Sequence, residues 1–210
     1  MTQMTETTPR RAVLLEIPPV LEEWRKRTGA DRYDEVWEGV VHMSPTPTGR
    51  HQGLCGNVYA WLLRHFEERA CGKVYYQRNV ARPGLADWRT DYRAPDLVLV
   101  TPPRYARDLD THFEGGPDVV VEICSPGDES YDKLPFYFAI GVEEVWIIHR
   151  DTKVPELFVR GARGFRGSKP NRDGWLLSKA TDLELRTAAN AKLALRRRDE
   201  HATTAEVPAE

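Results

Sequence analysis

The chain has 210 residues, 40% of them hydrophobic and 30% charged, which suits one globular domain with a sizeable core and is short for two enzymatic domains. Its 30 Lys and Arg against 32 Asp and Glu leave a net charge of −2, which excludes a dedicated nucleic-acid coater and requires any nucleic-acid site to be local. Three cysteines, Cys55, Cys71 and Cys124, without CxxC or His-Cys spacing, exclude a disulfide framework and a zinc cluster and point to a reducing cytosol.

Residues 1–12 are polar and Thr-rich, and residues 199–210 are poor in apolar side chains, so both ends are expected to be disordered around a single domain over 13–198. No signal core is present in MTQMTETTPRR, and the longest apolar runs fall far short of the roughly 18 residues of a membrane helix, so a soluble, cytoplasmic protein is expected. Pro18 to Arg27 reads as a short helix stopped by Gly29, and RYDEVWEGVVHM as a β-hairpin turning at Glu38-Gly39. From His51 to Glu68 the positions Leu54, Val58, Trp61, Leu62 and His65 keep a helical period that Cys71-Gly72 ends.

A β-rich run follows from Val74 to Val80, then compact apolar runs at Leu97 to Val100 and Asp118 to Cys124. These do not alternate with polar residues, the pattern of strands buried on both faces and covered by helices. Tyr131 to Ile140 is expected to be a helix with Asp132 as N-cap, Pro135 in its first turn and Gly141 at its end. Val142 to His149 is another buried strand. PELFVRGARGFRG and GWLLSKATDLELRT read as further strands, and Ala189 to Arg198 as a strand or a short helix. The sum is a mixed α/β fold.

Two acidic residues stand against the buried strands: Asp96, after Pro95, opens LVLV, and Glu122 lies inside VVVEIC. A buried carboxylate is costly unless paired or bound to a cation. Either one alone also fits a strand end reaching solvent or a salt bridge to an arginine. Together, with Lys133 at a following helix start, they make a compact site for a hard divalent cation and a phosphate, since Mg²⁺ needs only one or two carboxylates besides water and substrate oxygens.

EVWEG (Glu35 to Gly39), HMSP (His42 to Pro45), His51, APDLVLV (Ala94 to Val100), PDVVVEICSP (Pro117 to Pro126), DKLPFY (Asp132 to Tyr137) and IGVEEVWII (Ile140 to Ile148), in this order and spacing, resemble the Uma-two family of restriction-endonuclease-like proteins. The resemblance implies a PD-(D/E)XK nuclease-like fold, a mixed sheet flanked by helices and carrying an acidic metal site. It places the family aspartate on Asp96 and the strand glutamate on Glu122, both as Mg²⁺ (or Mn²⁺) ligands. The lysine expected two residues after that glutamate is replaced by Cys124, and the family lysine falls instead on Lys133, which would orient the attacking water. Glu35 and His51 match two further family positions. His51 is either turned to the site or a core histidine bonded to a carboxylate or carbonyl, and Glu35 is either a third acidic ligand or a partner of His51.

Arg82, Arg89, Arg93, Arg104 and Arg107 flank this site in sequence and are either phosphate contacts or solvated surface. Arg196 to Arg198 reads as a solvated end neutralised by Asp199-Glu200, and Tyr131, Trp146 and Cys124 as core. The function expected is a Mg²⁺-dependent endonuclease on DNA, acting as a homodimer. A non-catalytic nuclease-fold module binding nucleic acid or protein is the alternative, favoured by the acidic charge and the missing E-x-K lysine. A two-carboxylate glycosidase would instead need its carboxylates apart across a metal-free cleft.

Overall fold

A computed structural model describes residues 17–207, so the polar segment 1–12 lies outside the described residues. The chain opens with helix α1 (Pro19–Thr28), which Gly29 closes in the left-handed conformation at φ 69°. Strands β1 (Glu35–Trp37) and β2 (Val40–His42) form the expected hairpin, with Glu38 and Gly39 both at positive φ, as a tight two-residue turn requires. Thr48 caps α2 (Gly49–Leu62) through the amide of His51, and the helix runs on into a π turn over Leu63–Glu67.

The β-rich run Val74 to Val80 holds parts of two strands. Gln77 takes φ 50°, which breaks the extended backbone and sends β3 (Lys73–Tyr76) and β4 (Val80–Ala81) into different sheets. Then come β5 (Tyr92–Arg93), β6 (Leu97–Val100), β7 (Phe113–Glu114) and β8 (Val119–Cys124). Helix α3 (Leu134–Ile140) crosses over to β9 (Glu144–His149), which lies parallel to β8. The remaining strands are β10 (Pro155–Arg160), β11 (Phe165–Gly167), β12 (Leu176–Ser178), β13 (Leu183–Ala188), β14 (Lys192–Arg197) and β15 (Glu200–Val207).

Three sheets result. The central one has the order β11-β10-β9-β8-β6-β3, the N-terminal one β2-β1-β5-β4-β7, and the C-terminal one β12-β13-β14-β15. The central strands are apolar on both faces, as their composition predicts. Leu97, Leu99, Val119, Val121, Ile123, Trp146 and Ile148 pack with α2 and the C-terminal sheet. Val98, Val100, Val120, Cys124, Val145 and Ile147 pack with Phe136, Tyr137 and Ile140 of α3. One close approach ties the layers: a Cβ on Gly116 would stand 2.1 Å from the carbonyl carbon of Gly141, the C-cap of α3.

Three expectations are corrected. Helix α3 starts at Leu134 with Lys133 in the cap position, because turns closed by Asp132 N to Glu129 O and Leu134 N to Tyr131 O use that backbone first. Residues 200–207 form a paired strand: β15 lies on β14, buries Val207 and meets α2, where the Trp61 indole donates to the Thr203 carbonyl. Arg196 and Arg197 are likewise packed, the first bonded to Glu184 over the Trp175 ring, the second to Glu200 and the His65 carbonyl.

Candidate active site

Alternation along β8 directs Glu122 to the α3 face while its neighbours Val121 and Ile123 enter the other layer. There it is 3% exposed. The Tyr137 hydroxyl donates to its Oε1 at 2.5 Å, and the Lys133 ammonium lies 3.2 Å from Oε1 and 3.4 Å from Oε2. Lys133 also donates to Glu35 Oε1 at 2.8 Å. Glu35 reaches the site because β1 pairs with β5 at Val36 and Tyr92, and its carboxylate takes the Ala94 amide on Oε1 and the Trp37 indole on Oε2.

Asp96 stands at the mouth of β6, where its Oδ2 accepts the Ile123 amide at 2.7 Å, one residue from Glu122. His51, in the first turn of α2, brings its Nε2 to 3.3 Å from the same oxygen. Its other ring nitrogen is buried and has no partner among the described residues. Asp96, Glu122, Lys133, Glu35 and His51, distant in sequence, therefore occupy one place. Of the alternatives for Glu35, its contact is with Lys133, not His51, and both its oxygens are already engaged. His51 meets a carboxylate, and that carboxylate belongs to the site.

The buried charges act strongly on one another. Burial, reinforced by Asp96 and Glu35 and opposed by Lys133, pushes the Glu122 carboxyl up to about 8. Burial also disfavours the Lys133 ammonium, yet the attraction of Glu122 and Glu35 outweighs it and raises its pKa. For Glu35 the penalty of burial is overcome by Lys133 and its hydrogen bonds, and the pKa falls. Burial lowers and Asp96 raises the His51 pKa, with Asp96 prevailing.

Among the described residues no three His, Cys, Asp or Glu side chains form a metal-holding group. The donors that fit a cation are two: Asp96 Oδ1, which has no hydrogen-bond partner among the described residues, and Glu122 Oε2, touched only by Lys133 at 3.4 Å. An all-oxygen pair that leaves room for water suits a hard divalent ion. A cation there would also offset the repulsion of Asp96 and Glu35, which adds to burial in raising the Glu122 pKa.

The flanking arginines are mostly committed elsewhere. Arg93 is buried with Asp91 and stacks on Trp37 and Phe136, Arg82 also pairs with Asp91, and Arg104 holds Asp118 and Glu143. Arg89 pairs with Asp87 at the surface, and Arg107 lies near the Gly116 carbonyl. Tyr131 is surface rather than core, 38% exposed and bonded to His149 and Glu156, because it precedes α3 instead of starting it. Cys124 is buried and its thiol is pushed up to about 12, first by burial and then by Asp128, so it does not replace the missing lysine. Tyr137 closes the DKLPFY run without a charge to mark it as functional; its spacing of four from Lys133 is the signal that points to it.

A mixed sheet with helices on both faces and an acidic cluster at the start of β6 and within β8 defines a restriction-endonuclease-like fold. A solved structure of a putative nuclease belonging to DUF820 from Anabaena variabilis has the same fold, with a TM-score of 0.55 and 16% identity over 70% of this chain and 82% of that one. The family model Uma2, described as "Putative restriction endonuclease", matches residues 20–192, and the chain belongs to that family. No curated protein matches the chain. No helix among the described residues is long and apolar enough to cross a membrane.

Proposed function

We propose that the protein is a divalent-metal-dependent endonuclease that hydrolyses DNA phosphodiester bonds, with Asp96 and Glu122 holding Mg²⁺ or Mn²⁺ and Lys133 at the attacked phosphate. The observation that carries this is the Lys133 ammonium 3.2 Å from Glu122, whose neighbour Ile123 donates its amide to Asp96. Membership of the Uma2 family supports it. The cation, when bound, would lower the pKa of a water and screen the phosphate. Asp96 is aimed by the Ile123 amide and His51, so one carboxylate oxygen is anchored and the other is presented. Glu35 anchors Lys133, leaving a third ammonium proton for the attacking water or a phosphate oxygen. A second copy of the chain would supply the second site needed to cut both strands of a duplex.

Supercoiled plasmid and single-stranded DNA incubated with the protein, with Mg²⁺ or Mn²⁺ and with EDTA, test this. Metal-dependent nicking lost in Glu122→Gln is the expected outcome. DNA binding without cleavage under any metal would leave the nuclease-fold binding module as the function.

A further inference from the structure

We propose that Tyr137 is a positioning residue for this site, its hydroxyl holding one oxygen of Glu122 so that the other is presented to the cation; the inference rests on the metal site proposed above. Tyr137 is 0% exposed, and among the described residues its hydroxyl has one hydrogen-bond partner, Glu122 Oε1 at 2.5 Å. Lys133 spans both oxygens, 3.2 Å from Oε1 and 3.4 Å from Oε2. Standing four residues apart, Lys133 and Tyr137 reach β8 from one side of α3.

The two donors differ in stiffness. The last torsion of a glutamate is broad, so the carboxylate plane needs an external reference. The lysine stem is flexible and its ammonium is shared with Glu35, whereas the tyrosine ring is buried against Phe136 in the apolar cluster that also holds Ile140, Val145 and Ile147. That apolar cluster requires the ring, and phenylalanine would fill it equally well. The hydroxyl itself serves the carboxylate. With Oε1 taken by the stiff donor, Oε2, whose one contact is the longer 3.4 Å bond from Lys133, is the oxygen left to the cation.

The test is Mn²⁺ titration calorimetry on the full chain, comparing wild type, Tyr137→Phe and Glu122→Gln, with melting measured in EDTA and plasmid cleavage kinetics alongside. Removing a hydrogen-bonding partner behind a metal ligand costs about 10- to 100-fold in metal affinity in other sites. Tyr137→Phe is expected to lose Mn²⁺ affinity in that range, to lower kcat with the KM for DNA unchanged, and to melt close to wild type. Wild-type Mn²⁺ affinity and kcat in Tyr137→Phe, with binding abolished in Glu122→Gln, would overturn the role of Tyr137 alone. Loss of the melting transition in Tyr137→Phe would also overturn it, since the hydroxyl would then serve the fold. A wild type that binds no Mn²⁺ would overturn the metal site and this inference with it.

Discussion

Glu122 is a carboxyl that the native chain holds in its protonated form over an unusual range. Unfolded, it would release its proton near 4.5; folded, it keeps it up to about 8. Between those values the native state binds the extra proton, so its contribution to stability falls as pH rises. His51, also raised, acts in the same direction above its ordinary value of 6.5. Calorimetric melting of the metal-free protein should therefore show Tm declining between pH about 5 and about 8. Glu122→Gln should flatten that decline and melt a few degrees higher at pH about 8, where about 1 kcal/mol is worth roughly 2–4 °C in a chain of this size. A variant as steep as wild type would place the responsible proton elsewhere. Lys133 gives a second expectation. Lys133→Met should cost roughly 10²- to 10³-fold in cleavage rate, the loss typical of one preorganised donor, while Mn²⁺ binding persists. The same variant strands Glu35 without its counter-ion, so a stability loss of about 3–5 kcal/mol should accompany it in urea melts.

At the scale of elements, α3 is seven residues long and has little helical stability of its own. It holds because Phe136, Tyr137 and Ile140 pack on the central sheet and because Gly116 lets the chain before β8 touch the helix end. Strand β15 depends on its neighbours in the same way. It pairs Val207 with Leu193 and Ala205 with Leu195, two fully buried leucines of β14. Truncation after Arg198 should uncover that edge and remove the Trp61 contact. The expected cost is on the order of 3 kcal/mol, from the lost Val207 burial and strand pairing, read as a lower urea midpoint. A truncated chain with an unchanged midpoint would mean that β14 is a sufficient edge.

For the whole molecule the charge balance is the governing quantity. With a net charge of −2 and Arg82, Arg93 and Arg104 engaged by internal carboxylates, few cations remain for phosphate contacts near the site. Each phosphate contact contributes about −0.9 to the slope of log affinity against log salt on duplex DNA. A slope of about −2 to −3 in fluorescence anisotropy, measured with Ca²⁺ in place of Mg²⁺, is the expected outcome. A zero slope would speak against a nucleic-acid ligand.

Periodicity and composition alone determined the mixed α/β class, helix α2, the hairpin and the doubly buried strands β6, β8 and β9, because burial on two faces leaves an unbroken apolar run that needs no partner to be recognised. Asp96 and Glu122 were legible for the same reason: a carboxylate in such a run is out of place. The motifs carried the family and Lys133. Only the tertiary structure decided that β3 and β4 part company at Gln77, since one backbone angle chooses the sheet. It alone made a strand of residues 200–207, which are polar on one side and acquire an apolar role through pairing with β14. The split of duties between Glu35, which holds Lys133, and Glu122, which Tyr137 holds, was likewise decided in three dimensions: the chain brings residues 35, 122, 133 and 137 from a hairpin, a strand and a helix into contact, and a hydrogen bond between elements leaves no periodic trace in sequence.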